Sequence, residues 1–169
     1  KKKALLIVNP CSGKTKSRAG TFDIVDKFSK SEYEFSIHST KCQGDATNIV
    51  KNELDGHDLV VCCGGDGTLN EVAAGAAGLA NVSITHFPCG SGNDFIKLFG
   101  ADCQSVRQLE NLMDGKEVAL DYMEADCGVS INVFSVGVDA RVAAGMQKYK
   151  RFPLLHGSAA YNISTVENV

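Results

Sequence analysis

A carboxylate stands among glycines at the end of a short apolar segment, where residues 59–63 run into Gly64, Gly65, Asp66 and Gly67. Glycine adopts backbone angles that other residues resist, and it lets a ligand approach the chain closely. A helix that begins after such a loop directs free N–H groups and the positive end of its dipole at one point, which suits phosphate. Because Asp66 would repel a bare phosphate, it favours a nucleotide that is bound together with Mg²⁺. The alternative is an aspartate that caps the turn.

The loop around Asp66 is expected to open a helix. Thr68 and Glu71 have the T-x-x-E spacing of a capping box, in which two side chains satisfy the free N–H groups of a helix N-terminus. Leu69 and Val72 begin an apolar face at helical spacing. The segment therefore predicts a strand, a glycine loop and a helix in that order.

A second candidate loop follows the first apolar run, in the segment VNPCSGKT at 8–15. The tripeptide at 13–15 imitates the end of a P-loop, but that motif requires glycine where Val8 stands. A looser phosphate site remains, built from small polar residues such as Asn9, backbone N–H groups and the Lys14 cation. An ordinary strand-to-helix turn is the alternative.

The third candidate loop is PCGSGNDF at 88–95, in which two glycines flank Ser91. Asn93 or Asp94 has the side chain of an N-cap for the next helix. If the preceding strands are parallel neighbours, Asp66 and Asp94 lie at the same carboxyl edge of the sheet. In open α/β sheets that edge is where ligands bind, so three glycine loops at one edge predict a site there.

Apolar runs and helical periodicities alternate along most of the chain. We expect strands at 4–8, 33–39, 58–63 and 82–87, with helices at 18–29, 44–54, 68–77, 94–99 and 103–113. This alternation predicts an α/β fold, with a parallel, Rossmann-like sheet covered by helices on both sides.

The pattern changes near Lys116. Residues 116–126 and 128–139 have strand character without a helix between them, and helical segments are expected to follow at 141–149 and 158–168. We therefore predict an N-terminal α/β nucleotide-binding domain and the beginning of a β-rich second domain, over 1–117 and 118–169. Two strands alone would leave unpaired edges, so the chain is expected to be a fragment or to pair with a second copy as a homodimer.

Composition limits the classes of function. The net charge of −3 provides no basic field for nucleic acid. The seven cysteines are odd in number and have no C-x-x-C spacing, which indicates reduced thiols of a cytoplasmic protein. No apolar run approaches the roughly 18 residues of a membrane span, and no signal peptide is visible. The four histidines have no metal-ligand spacing, and they are expected to be structural or exposed.

Four segments, NPCSGK, TKCQGDA, GGDGTLNEV and PCGSGNDF, follow one another in this order. Together they resemble the diacylglycerol kinase catalytic domain family, in particular its bacterial lipid kinases. The later segments LDYMEAD, INVFSVGVDARV and GSAAY are similar to the beginning of that family's second domain, so the resemblance covers nearly the whole chain. GGDG also occurs in NAD kinases and phosphofructokinases, whereas the GSGNDF loop favours lipid kinases.

The resemblance implies transfer of the γ-phosphoryl group of ATP, with Mg²⁺, to a lipid hydroxyl at the membrane surface, with diacylglycerol as the leading acceptor. Asp66 and Asp94 would be the catalytic carboxylates: Asp66 would hold Mg²⁺ directly or through water, and Asp94 would orient the acceptor hydroxyl or join the metal network. Nucleotide contacts are expected at Asn9, Pro10, Cys11, Ser12, Gly13, Lys14, Thr40, Gly64, Gly65, Asp66, Gly67, Thr68, Leu69, Asn70, Glu71 and Ser91.

Part of the family pattern has no counterpart in this sequence. The family's catalytic acid and its structural metal site belong to a region of the second domain that cannot be mapped onto the 169 residues. The alternatives are a kinase of another acceptor, NAD or sphingosine, and a non-catalytic nucleotide-binding fragment. Sphingosine kinases tend to begin the motif with Ser-Gly-Asp-Gly, which differs from Gly64 here.

Overall fold

The computed structural model describes residues 1–12, 16–90, 92–149 and 163–166. The chain divides into two compact units, Lys1–Asn132 and Val133–Val169. The predicted domain boundary at 117/118 rests on sequence pattern and stays a prediction. In the described part of the chain, no helix is both long and apolar enough to cross a membrane.

A parallel sheet of four strands forms the centre of the first unit, and it confirms the predicted α/β class. The strands are β1 (Lys3–Val8), β2 (Glu34–Ser39), β3 (Leu59–Gly64) and β4 (Ser83–Pro88), and their order across the sheet is β2-β1-β3-β4. Val8 lies opposite Ser39 on one side and Cys63 on the other, so the carboxyl ends of the strands are level. After β2 the chain crosses to the other side of β1, which makes the gap between β1 and β3 a topological switch point.

Helices cover both faces of this sheet. On one face α2 (Asp45–Glu53) and α3 (Asp66–Ala76) pack on alternate residues of β1 and β3, with Val50 and Val72 fully buried. On the other face Phe28 of α1 (Lys16–Ser29) packs on the remaining residues of the same strands. Every residue of β3 is buried, because the strand is covered from both sides.

Two cysteines at the end of β3 illustrate this coverage. Cys62 faces the layer of α2 and α3, Cys63 faces the opposite layer, and both are free thiols. Burial raises the pKa of the Cys63 thiol to about 12. An expectation that all seven cysteines are buried small residues fits this pair and is wrong for Cys11, Cys42 and Cys127, which are exposed.

The segment after β4 differs from the prediction. Residues 103–113 do not form one helix: a 3₁₀ segment spans Phe95–Arg107, and α4 (Asn111–Asp114) follows it separately. Gly100, at φ 55° and ψ −119°, interrupts the 3₁₀ segment, and extended backbone at Gln108 ends it. The apolar positions of 103–113 are thus divided between two short elements, which extended backbone at Gln108 separates.

The described residues after α4 contain less strand than expected. β5 (Met123–Ala125) and β6 (Gly128–Ser130) form a short antiparallel hairpin within the first unit. In the second unit α5 (Val138–Tyr149) begins earlier than predicted, and a helical turn lies at 163–166. The rest of the helix expected at 158–168 falls outside the described residues.

Candidate functional site

The loops that follow β1, β3 and β4 meet at the carboxyl edge of the sheet, where the sequence places the site. The Asn9 N–H donates to the carbonyl of Cys63 at 2.9 Å, and the Cys89 N–H donates to the carbonyl of Gly64 at 2.8 Å. These bonds continue the β ladder beyond the strands, so the beginnings of all three loops are held together by backbone geometry.

The second and third glycine loops touch through their backbones. A Cβ added at Gly90 would lie 2.6 Å from Cα of Gly65 and 2.9 Å from Oδ1 of Asn93. A Cβ added at Gly65 would lie 3.0 Å from Cα of Gly90. No side chain fits between these loops, which explains why both positions are glycine.

Asn93 closes the third loop, and it is not the N-cap that the sequence suggests. Its φ of 53° is left-handed, and its buried side chain both accepts from the Gly90 N–H (2.8 Å) and donates to the Gly90 carbonyl (2.6 Å). The 3₁₀ segment has Asp94 at its N-cap position, without a side-chain capping bond. Asn93 therefore shapes the loop rather than the helix end.

Asp66 is the first residue of α3, and its carboxylate reaches the third loop. One oxygen accepts the backbone N–H of Asp94 at 3.0 Å, and the other accepts that of Phe95 at 2.9 Å. Asp66 thus satisfies free donors at the beginning of the 3₁₀ segment. Each oxygen keeps a second lone pair for another partner, so these bonds are compatible with a cation at the same carboxylate.

The two predicted catalytic carboxylates both border Gly92. Oδ2 of Asp66 and Oδ2 of Asp94 are each 3.5 Å from the point where a Cβ on Gly92 would stand. Neighbouring carboxylates suit Mg²⁺, which takes one or two of them and completes its shell with phosphate and water oxygens. Among the described residues there is no group of three or more His, Cys, Asp or Glu that could hold a metal by itself.

Lys97 is a charged neighbour that the sequence analysis missed. Its ammonium group pairs with the Asp94 carboxylate, and both side chains are exposed. The hydrogen bond and charge of Asp94, with a smaller effect of the Asp66 charge, raise the pKa of Lys97. A lysine three residues after Asp94 in a helical segment was the available signal, since residues at that spacing are neighbours on a helix.

The predicted capping box at the beginning of α3 is wrong. The helix begins at Asp66, with Gly65 at the N-cap, so Thr68 already lies inside the first turn. The Thr68 hydroxyl is buried and accepts from Nδ2 of Asn9 at 2.9 Å. Oδ1 of Asn9 in turn accepts the Cys11 N–H at 2.9 Å, so this pair ties the first loop to α3.

Glu71 contacts a different element. Its carboxylate accepts the Ala46 N–H at 3.2 Å, in the first turn of α2, and its carbonyl accepts the Thr47 hydroxyl at 2.8 Å. A carboxylate at this position also favours the positive end of the α2 dipole. Glu71 therefore joins α3 to α2 rather than capping its own helix.

His86 of β4 lies beneath the glycine loop. Its Nε2 is 2.9 Å from the Gly64 carbonyl, and because a carbonyl only accepts, Nε2 carries the proton. Its Nδ1 is buried and has no hydrogen-bond partner among the described residues. The ring packs edge-on against Phe95 at 6.2 Å, and burial lowers the pKa of the imidazole. The expectation of a structural histidine fits this geometry, although its place next to the site was not foreseen.

The remaining predicted contact residues are distributed unevenly. Thr40 is buried at the end of β2, where its N–H donates to the Val8 carbonyl. Leu69 belongs to the core beneath α3, so its side chain is packed away from the edge. Pro10, Cys11 and Gly67 are exposed, and Ser12 is half-buried. Gly13, Lys14 and Ser91 lie outside the described residues.

Comparisons with known proteins identify the family of this chain. The family model of the diacylglycerol kinase catalytic domain matches residues 3–125. The chain belongs to this family. The diacylglycerol kinase of Bacillus subtilis (strain 168) is 33% identical over 139 residues, which cover 80% of this chain and 46% of that protein. That of Staphylococcus carnosus (strain TM300) is 30% identical over 170 residues, 99% of this chain and 55% of that protein.

Solved structures of the family share the fold. The crystal structure of a diacylglycerol kinase from Bacillus anthracis str. Sterne superimposes with a TM-score of 0.65 at 28% identity, covering 76% of this chain and 47% of that one. A second structure, of a putative diacylglycerol kinase from the same organism, gives a TM-score of 0.62. The chain spans about half the length of the relatives it matches.

Proposed function

We propose that the protein is an ATP-dependent lipid kinase that transfers the γ-phosphoryl group to the hydroxyl of diacylglycerol. The observation that carries the proposal is that Asp66 and Asp94 both border Gly92, at the edge where the glycine loops of a diacylglycerol kinase family member meet. Phosphoryl transfer depends on positioning and charge neutralisation more than on covalent chemistry by the protein. Glycine loops and paired carboxylates are suited to both tasks.

The nucleotide is proposed to bind along the three loops. The backbone N–H groups around Gly65 and Gly67, at the N-terminus of α3, face phosphate, and Lys14 supplies positive charge. The first loop from Asn9 to Gly13, together with Thr40 and Ser91, completes the contacts. Side chains of α3 that bond other elements would support this cradle rather than line it.

The two carboxylates are proposed to bind the metal ion and to orient the acceptor hydroxyl. Asp66 would hold Mg²⁺ while its bonds to the Asp94 and Phe95 N–H groups fix its orientation. Asp94 would orient the acceptor hydroxyl or bind the metal. For either role the Lys97 ammonium group would first have to leave the Asp94 carboxylate, by exchange for another cation or by turning toward phosphate. Bound Mg²⁺ would neutralise phosphate charge.

The acceptor is proposed to be taken from the membrane surface, by a peripheral enzyme on the cytoplasmic side. The names of the relatives favour diacylglycerol over NAD or sphingosine as acceptor. The predicted homodimer stays a prediction.

The test is transfer of label from γ-labelled ATP with Mg²⁺, catalysed by the full-length protein. Vesicles containing diacylglycerol, vesicles containing sphingosine, and NAD in solution serve as separate acceptors. We expect label in diacylglycerol and its loss in Asp94→Asn, with Asp26→Asn as the matched control because Asp26 is an exposed ion-pair residue on α1. Label only in NAD or sphingosine would refute diacylglycerol as the acceptor. Absence of label from all three acceptors would refute the proposed kinase activity.

A further inference from the structure

Asn70, which the sequence places among the nucleotide contacts, uses its side-chain amide inside the protein. Its Nδ2 donates to the carbonyl of Val129 at 2.9 Å, and its Oδ1 accepts the N–H of Ile131 at 3.0 Å. The partners are 59 and 61 residues away in the chain. One side chain of α3 therefore holds the backbone at β6 and just beyond it.

The chemistry of this contact requires a carboxamide, which asparagine provides. A carbonyl only accepts and a backbone N–H only donates, so one side chain must offer a donor and an acceptor side by side. Ionised aspartate lacks the donor, and alanine lacks both groups. The contact therefore explains the residue type at position 70 without any ligand.

The hairpin that Asn70 holds has little support of its own. β5 and β6 have three residues each, and an isolated two-stranded hairpin is marginally stable in water. Ile131 packs against the core beneath α3, and Ser130 is buried. The Asn70 bonds add a polar clamp to this apolar contact and set the register of β6 along the helix.

The same helix carries the site. Asp66 lies one helical turn before Asn70, and residues four apart are neighbours on a helix surface. Thr68 and Glu71, on the same two turns, bond the first loop and α2. The helix that holds β6 through Asn70 therefore also bonds the loop after β4 through its first residue, Asp66.

We propose that Asn70 is a positioning residue, which clamps the β5–β6 hairpin to α3 and acts on phosphoryl transfer through this clamp rather than by contact with the nucleotide. The catalytic part of the inference rests on the proposed function. The clamp itself is a property of the fold and is measured separately.

The variants Asn70→Asp and Asn70→Ala test the clamp, with Asn52→Asp as the matched control because Asn52 is exposed on α2. We expect faster hydrogen exchange of the Ile131 amide in Asn70→Ala and no change in the control. In Asn70→Asp, protonation of the carboxyl restores a donor for the Val129 carbonyl. Its free energy of unfolding should therefore rise relative to that of Asn70→Ala as the pH falls toward the carboxyl pKa.

Kinetics of the full-length protein separate positioning from binding. We expect kcat of both Asn70 variants to fall about tenfold while KM for ATP stays within about twofold of the wild-type value. A raised KM for ATP with unchanged kcat would overturn the proposal in favour of a nucleotide contact. Unchanged exchange at Ile131 would overturn the clamp, even if the wild-type protein transferred no phosphate. Absence of transfer by the wild type would overturn the proposed function instead.

Discussion

Replacing Asp66 by asparagine tests whether one carboxylate serves both the fold and the metal. The carboxylate accepts two backbone N–H groups, from Asp94 at 3.0 Å and from Phe95 at 2.9 Å. Asparagine keeps one acceptor and presents an NH₂ group to the other N–H. Hydrogen bonds to charged groups contribute about 1.5–3 kcal/mol each, and the partial exposure of Asp66 reduces this figure through solvent screening.

We therefore expect Asp66→Asn to lose about 1–2 kcal/mol of stability, which corresponds to a melting temperature lower by about 2–8 °C in a domain of this size. Thermal unfolding followed by circular dichroism measures the loss. Asp94→Asn is the control, because it removes only an exposed ion pair and leaves the Asp94 N–H in place, so its loss should be smaller.

Calorimetry of ATP binding, with and without Mg²⁺, measures the other role of Asp66. We expect Asp66→Asn to weaken binding in the presence of Mg²⁺ and to change binding without the metal much less, because the carboxylate acts on the cation. An unchanged melting temperature would refute the structural part of the reasoning. Unchanged binding with Mg²⁺ in the folded variant would remove Asp66 from the metal site.

Two further predictions concern the support beneath the loops. Gly90→Ala should push the Gly65 backbone away and lower the free energy of unfolding, measured in urea, by about 1–3 kcal/mol. The control Gly67→Ala should not lower it, because a Cβ at Gly67 meets no atom within 4 Å. Equal stability of the two variants would contradict the close contact between Gly90 and Gly65. Because burial lowers the pKa of His86, the folded state binds its proton less tightly than the unfolded state. The free energy of unfolding should therefore keep its full value above pH 6.5, the ordinary pKa of histidine, and decrease at lower pH. The decrease should be smaller in His86→Gln, and an equal decrease in that variant would exclude His86 as the cause.

Much of the fold was predictable because its signals are local. The continuous apolar run that ends at Cys63 predicts a strand covered on both faces, and β3 is buried along its whole length. The alternation of strands with helices restricts the sheet to a parallel one, in which the carboxyl ends must share an edge. The sequence alone thus placed Asp66 and Asp94 at the same edge, where in the structure both carboxylates border Gly92.

The errors arose where one local pattern fits two structures. Thr68 and Glu71 have the spacing of a capping box, but the helix begins two residues earlier and each side chain bonds another element. The apolar positions of 103–113 fit one helix, although extended backbone at Gln108 divides that region. Spacing along the chain cannot distinguish these cases, because it contains no information about which distant groups lie opposite.

The sequence by itself determined the fold class, the glycine loops and the edge at which they meet. Only the tertiary structure decided what the polar side chains of α3 contact, since Asp66, Thr68 and Asn70 bond atoms that are between 28 and 61 residues away. The physical reason is the range of the interactions. Strand and helix patterns depend on neighbours within a few residues, whereas a hydrogen bond between elements exists only after packing has set their register.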